Sequence, residues 1–315
     1  MIIDFECDSP TAAVRDETEK LLRSGSGFTH RGYFKLFGKL WARQLDMSDE
    51  EFETTVREQG RIEVALMVLA KMTEEPMTDE QFIAMMDDAG VEIGCIGTTG
   101  MWSSVDDRAA IAAKYPGRLM PFYRTSPHEG MDDVREFERR VRDFGFKGLV
   151  VSGFRDNLPS NHKKYYPFYA KCVELDVPVR ITTSLHLYTD RPIDLSRPAY
   201  LDEIACDFPE LTIVAGLGGW PWVDELVAVA RRHPSLFIDI SCVRPSNMPR
   251  PGSGYEALLA DGNRGLQDQV IFASGWTTQG KPLQQLITEA EALPASDTIR
   301  RKWMYENALR ALGLG

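Results

Sequence analysis

Short apolar runs recur along the chain, separated by longer stretches with helical periodicity. The runs are Ile2–Glu6, Ile93–Gly97, Leu119–Tyr123, Gly148–Val151, Val177–Thr182, Leu211–Ala215, Leu236–Ser241 and Val270–Ala273. Each is too short for a helix and is bounded by Gly, Pro or charged residues, which predicts strands. They are apolar on both parities, as expected of a parallel sheet covered on both faces. The intervals predict helices. Asp132–Phe144 puts Val134, Phe137, Val141 and Phe144 on one face, with Arg and Glu opposite, and stops at Gly145. Pro221–His233 and Pro282–Leu293 follow the same pattern. Strands that each lead into a helix predict a closed (β/α)8 TIM barrel, with a doubly wound open sheet as the alternative.

Two intervals depart from a plain barrel. The stretch between the first two strands is long, and residues 11–75 or thereabouts read as a helical insertion within a single domain spanning 1–315. It holds the helical stretch Tyr33–Leu45, a capping box at Ser48 and Glu51, and the apolar run Val64–Met72. A second box at Thr78 and Gln81 is expected to open the first barrel helix, because Phe82, Ile83, Met85 and Met86 follow it. Phe28, Tyr33, Phe34, Phe37 and Trp41 favour a cap over the active-site end or a subunit interface rather than simple packing. The second interval, Val243–Gly265, contains Pro245, Pro249, Pro251, Gly252 and Gly254 and is a lid candidate.

Composition narrows the partners. With 315 residues, 43% of them hydrophobic, the chain can bury one large barrel core. A net charge of −11 argues against nucleic acid and anionic membrane surfaces. No run is apolar enough to span a bilayer and no signal peptide is visible, so a cytoplasmic location is expected. Cys7, Cys95, Cys172, Cys206 and Cys242 are odd in number and widely spaced, which predicts isolated thiols and neither a disulfide framework nor a structural zinc site.

Five motifs follow in order along the chain: the opening Met1-Ile2-Ile3-Asp4-Phe5, then Gly145-Phe146-Lys147-Gly148, Leu175-Asp176-Val177-Pro178, Leu217-Gly218-Gly219 with Trp222-Val223-Asp224-Glu225, and the ending Tyr305-Glu306-Asn307-Ala308-Leu309-Arg310-Ala311-Leu312-Gly313-Leu314. Together they resemble the amidohydrolase-2 branch of the amidohydrolase superfamily, which includes aminocarboxymuconate-semialdehyde decarboxylase and γ-resorcylate decarboxylase. The resemblance implies a divalent metal held by two residues on strand one, a His ending strand five and an Asp ending strand eight, with a His ending strand six as base or substrate-orienting group. Such an ion acidifies bound water or polarises a substrate carboxylate or carbonyl.

This chain departs from that pattern. Glu6 falls on the first ligand position and Asp8 replaces the following His. Thr182, Gly216 and Gly275 stand at the strand-five, strand-six and strand-eight positions. Glu6 and Asp8 are thus candidate metal ligands of an incomplete site. A zinc, manganese or magnesium ion is expected to be absent from this chain rather than bound. Glu6, Asp8 and His186 are the catalytic candidates, His186 because it sits in the loop after strand five. Arg124, Arg180, Thr182, Trp220 and Trp276 are the substrate-binding candidates. Arg180 shares parity with Thr182 and should point into the barrel. A buried guanidinium must be paired, and Glu6 or Asp8 could pair it, which would give it part of the metal's electrostatic role. His128 is a weaker candidate of the same kind, just past strand three. Trp220 and Trp276 could fill the emptied pocket or wall a substrate.

Other signals carry less. The glycines of Gly216-Leu217-Gly218-Gly219 lack the spacing of a dinucleotide fingerprint and run into Trp220-Pro221. Ser241-Cys242 ends strand seven without a readable base partner, and Met72, Met77, Met85 and Met86 have core spacing. Three functional readings follow. The first is a hydrolase or carboxy-lyase acting on a small carboxylated or aromatic substrate. The second is a non-catalytic partner in a hetero-oligomer with a metal-bearing paralogue, a homo-oligomer being the other assembly expected. The third is a small-molecule binding module.

Overall fold

The computed structural model describes residues 1–8, 13–25, 29–72, 74, 76–98, 103–241 and 243–315, with backbone alone for 13–17. Eight parallel strands follow one another in sequence order: β1 (Ile2–Asp4), β2 (Val91–Ile96), β3 (Leu119–Arg124), β4 (Gly148–Val151), β5 (Val179–Thr182), β6 (Ile213–Gly216), β7 (Leu236–Asp239) and β8 (Val270–Ile271). Phe5 N donates to Phe272 O at 3.2 Å and Gly275 N donates to Glu6 O at 3.0 Å, joining β8 to β1. A doubly wound sheet would instead reverse its strand order and leave two open edges. The architecture is therefore the (β/α)8 barrel that the alternation predicts.

Parity sorts the strand residues between two cores. Ile3, Phe5, Ile93, Cys95, Met120, Phe122, Val150, Val214, Phe237, Ile271 and Ala273 form one cluster, joined by Ala308, Ala311 and Leu312 from the last helix. Residues of the other parity, among them Leu149, Val151, Val179, Ile181, Ile213, Ala215, Leu236 and Ile238, pack against the surrounding helices. Arg180 lies in register with Val150 and Val214, so it belongs to the inner set by position and breaks it by chemistry.

Between β1 and β2 stand α1 (Ala13–Arg23), α2 (Arg31–Gln44), α3 (Asp49–Gln59), α4 (Arg61–Met72) and α5 (Asp79–Asp88). Both capping boxes form: Ser48 with Glu51 opens α3 and Thr78 with Gln81 opens α5, the helix that leads directly into β2. The helices α2 to α4 bury their own cluster, including Phe34, Trp41, Phe52, Val64, Val68 and Leu69. Phe28 lies outside the described residues. Among the described residues Cys7, Cys95, Cys172 and Cys206 are free thiols, and Cys242 lies outside them. No described helix is long and apolar enough to cross a membrane.

Candidate active site

A cavity of about 1030 Å³ opens at the carboxyl ends of the strands. Its floor is Arg180, which the two-residue period of β5 turns inward. The guanidinium is 1% exposed and among its bonds are four to described residues: Nε to Asp239 Oδ2 at 2.6 Å, Nη2 to Glu6 Oε2 at 2.6 Å, Nη2 to Ser241 Oγ at 2.9 Å and Nη1 to Thr98 O at 2.8 Å. Asp239 is fixed in turn by Ser241 Oγ, which donates to Oδ1 at 2.6 Å, and by Leu217 N at 2.9 Å. The expected pairing with Glu6 is present. The second partner is Asp239, which sequence reasoning missed. Its signal was the same as that of Arg180, a charge inside an apolar strand.

Gly216 explains how so large a group fits. A Cβ at that position would lie 2.8 Å from Arg180 Cζ and 3.0 Å from Nε. The guanidinium therefore occupies space that any side chain at the strand-six position would need. Beside it, burial pushes Glu6 up to about 8, with Arg180 opposing the shift and Asp239 and Asp8 adding to it. Its Oε1 is buried without a hydrogen-bond partner among the described residues. Asp4, also pushed up by burial to about 6, accepts from Ser274 N at 2.7 Å and from Glu6 N at 3.1 Å, and thereby holds the end of β1 against β8.

The walls are largely apolar and come from the two irregular intervals. Helix α2 contributes Tyr33, Leu36 and Phe37, and the segment after β7 contributes Val243, Arg244, Pro251 and Tyr255. These are the two intervals that the sequence singled out as cap and lid candidates. The lining cations are Lys35, Arg155, Arg180, Arg244 and Arg250, and no aspartate, glutamate or histidine is among the described lining residues. Arg244 is chelated by Glu289 at 2.6–2.9 Å. Loss of hydration, reinforced by Arg124, pushes Arg155 down to about 10, so it stays charged at neutral pH. Arg155 sits in a four-residue helical turn after β4 and carried no sequence signal of its own.

The remaining candidates divide. Thr182 and Trp220 line the cavity, Trp220 with 43% of its surface exposed, so it walls the opening and does not plug the barrel. Trp276 packs partly buried against the helix-facing core and is not a lining residue. Arg124 is tied to Asp156 at 3.1 Å, and His128 Nε2 lies 2.8 Å from Asp156 O, both away from the cavity wall. His186 is 4% exposed, stacks on Phe154 and faces Pro192 O through Nε2 at 2.8 Å. A carbonyl only accepts, so Nε2 carries the proton, and burial lowers the ring's pKa. Asp8 turns the other way, accepting from Gly97 N and lining a second cavity of about 520 Å³ with Arg108 and Asp107. Ser241 is engaged by Arg180 and Asp239 and has no histidine partner. Cys242 lies outside the described residues.

These residues do not fit a divalent metal. The surviving carboxylates diverge, Glu6 is bound to a guanidinium, and Gly216 can keep neither a ligand nor space for one. Among the described residues a converging trio of metal-ligand side chains occurs at Asp202, Cys206 and His233, on the outer helices, and none occurs at the barrel mouth.

The structure is similar to an uncharacterised TIM-barrel protein of Bordetella bronchiseptica, at 24% identity over 99% of this chain and 98% of that one, with a TM-score of 0.68. It is similar to 5-carboxyvanillate decarboxylase from Sphingomonas paucimobilis, at 14% identity over 100% and 99% of the two chains and a TM-score of 0.66. A 2,6-dihydroxybenzoate decarboxylase from Rhizobium aligns at 19% identity over 74% of this chain and 87% of that one, with a TM-score of 0.56. At these identities the likeness establishes the fold alone. No curated protein matches the chain in sequence. The amidohydrolase family profile matches residues 57–314, most of the barrel and the end of the insertion, and the chain therefore belongs to the amidohydrolase family.

Proposed function

We propose that this chain takes a small carboxylated aromatic molecule into the barrel-mouth cavity and does so as a metal-independent member of its family. The observation that carries the reading is the charge of the wall. A chain with net charge −11 lines this cavity with five cations and, among its described lining residues, no carboxylate. A carboxylate would dock at the floor, on Arg155 and Arg180 with the hydroxyls of Ser152 and Thr182 beside them, while Phe154, Leu185, Leu187 and Leu217 hold the ring. Arg180 is preorganised by four bonds, so it can stabilise negative charge without moving. The structural neighbours named for decarboxylating aromatic acids agree with this class of ligand.

Two uses of such a pocket differ in their chemistry. Binding without turnover, alone or as the partner of a metal-bearing barrel, is favoured by the lack of an imidazole or carboxylate on the described wall. Turnover as a carboxy-lyase is favoured by Glu6, whose carboxyl keeps its proton at neutral pH directly behind Arg180. Glu6 is then a positioning residue that sets the charge of the floor. Calorimetric titration of the chain with benzoate, 2,6-dihydroxybenzoate and benzamide tests the reading. Both carboxylates bind and benzamide does not, and R155M weakens them about tenfold or more, the scale of a charge-assisted contact. Equal binding of benzamide, or no binding of either acid, rejects it. Release of carbon dioxide from the bound acid separates turnover from binding.

A further inference from the structure

The cavity is far larger than one benzoate ring requires. Its volume of about 1030 Å³ stands at the top of the range of roughly 300–1,000 Å³ that encloses drug-sized ligands. Its cations occupy two levels. Arg180 is at the floor with Arg155 near it, and the solvent-exposed Lys35 and Arg250 stand at the rim. The same cavity is lined by Leu36, Phe37, Val243, Tyr255 and Trp220. Arginines elsewhere on the surface, such as Arg139, Arg142, Arg197 and Arg232, are each held by a carboxylate. Neither Lys35 nor Arg250 has an ion pair among the described residues. Arg244, also on the wall, is neutralised by Glu289.

We infer that the natural ligand is an elongated amphipathic dianion. One carboxylate rests on the floor, two rings or an equivalent apolar body fill the middle, and a second anionic group reaches Lys35 and Arg250. This rests on the carboxylate-binding reading of the floor and extends it. Helix α2 carries Tyr33, Lys35, Leu36 and Phe37 to the opening, so the insertion supplies both the apolar wall and half of the rim charge. A ligand of this kind would explain why the cap and the lid each present a cation that the fold itself does not use.

The experiment is a titration of the whole chain with three probes: benzoate, biphenyl-4-carboxylate and biphenyl-4,4′-dicarboxylate. Affinity should rise in that order. K35Q/R250Q should weaken the dicarboxylate about fivefold, the worth of two exposed ion pairs, and leave both monocarboxylates within twofold of their original affinity. The inference is overturned if the dicarboxylate binds no tighter than biphenyl-4-carboxylate. It is also overturned if the double substitution weakens all three probes alike, which would mark a general field and no second subsite. Binding of benzoate with no gain for either biphenyl acid leaves the floor standing and removes the elongated ligand. Failure of all three removes the floor reading with it.

Discussion

Two buried guanidiniums lie over two strand-end glycines on opposite sides of the barrel mouth. Arg180 from β5 covers Gly216 at the end of β6, and Arg108 from the helix Val105–Lys114 covers Gly97 after β2, where an added Cβ would lie 2.3 Å from Nη1. Both are 3% exposed or less. Their surroundings differ. Arg180 is bonded to two carboxylates, a hydroxyl and a carbonyl, whereas Nε and Nη1 of Arg108 are buried without hydrogen-bond partners among the described residues. Burial lowers Arg108 to about 10, with Asp8 the main opposing charge. The same steric device, a glycine that makes room for a cation, thus serves an integrated centre on one side and a costly lone charge on the other. What decides the difference is whether acceptors are built around the cation, because a buried charge stabilises only when its hydrogen bonds are satisfied.

The largest effect should come from breaking the satisfied side. R180M removes the cation and leaves Glu6 and Asp239 buried together without it. Breaking one partner of a buried pair costs about 3–5 kcal/mol. Urea unfolding should therefore show a loss of that order with an unchanged slope. A loss under about 1 kcal/mol would mean that Arg180 is no better integrated than an exposed ion pair.

The contrast between the two arginines was half legible in the chain. Arg180 stands inside a β-branched run, so parity alone turns it inward and burial demands a partner. Asp239 shares the inward parity on β7 two positions beyond the register partner Phe237, but as the last residue of its strand it could equally have been a loop acid. The Arg180–Glu6 pair joins residues that are 174 positions apart, and only closure of the barrel brings them together. Arg108 could not have been picked out, because an arginine in the first turn of an amphipathic helix reads as a solvated face. Arg155 was hidden in the same way. Asp8 was assigned to the metal position by its spacing from Glu6, yet residues two apart need not share a face once the strand has ended at Asp4. Strand count and both capping boxes could be read because each rests on local periodicity or capping chemistry.

A middle-sized effect concerns the proton on Glu6. Its folded pKa of about 8 lies above the ordinary 4.5, so the native state keeps a proton that the unfolded chain releases. This favours folding below about pH 4.5 and is lost as the pH rises through about 8, by at most about 1.4 kcal/mol per pH unit. Asp4 behaves in the same way but has completed its titration near pH 6. Melting temperature should therefore fall between about pH 6.5 and 8, and E6Q, which keeps the shape and carries no titrating proton, should flatten that slope. An unchanged slope in E6Q would mean that Arg180 keeps the Glu6 carboxylate ionised.

The smallest effect should come from the unsatisfied side, and its sign is the informative part. R108M replaces a buried cation that has two unpaired nitrogens with an apolar chain able to lie across Gly97. It removes the desolvation cost of the guanidinium and loses the attraction to Asp8 and, more weakly, to Asp107, while the Asp8 carboxylate keeps its bond from Gly97 N. Replacing buried charges by apolar groups of similar volume is often neutral or stabilising. We expect a change within about 1 kcal/mol of zero in urea unfolding, set against the several kcal/mol lost in R180M. Benzoate affinity should also be unchanged, because Arg108 lines the smaller cavity and not the larger one. A loss comparable to that of R180M would show that Asp8 and Arg108 form a centre as integrated as Glu6, Arg180 and Asp239, and the asymmetry across the barrel mouth would then be one of hydrogen-bond geometry and not of energy.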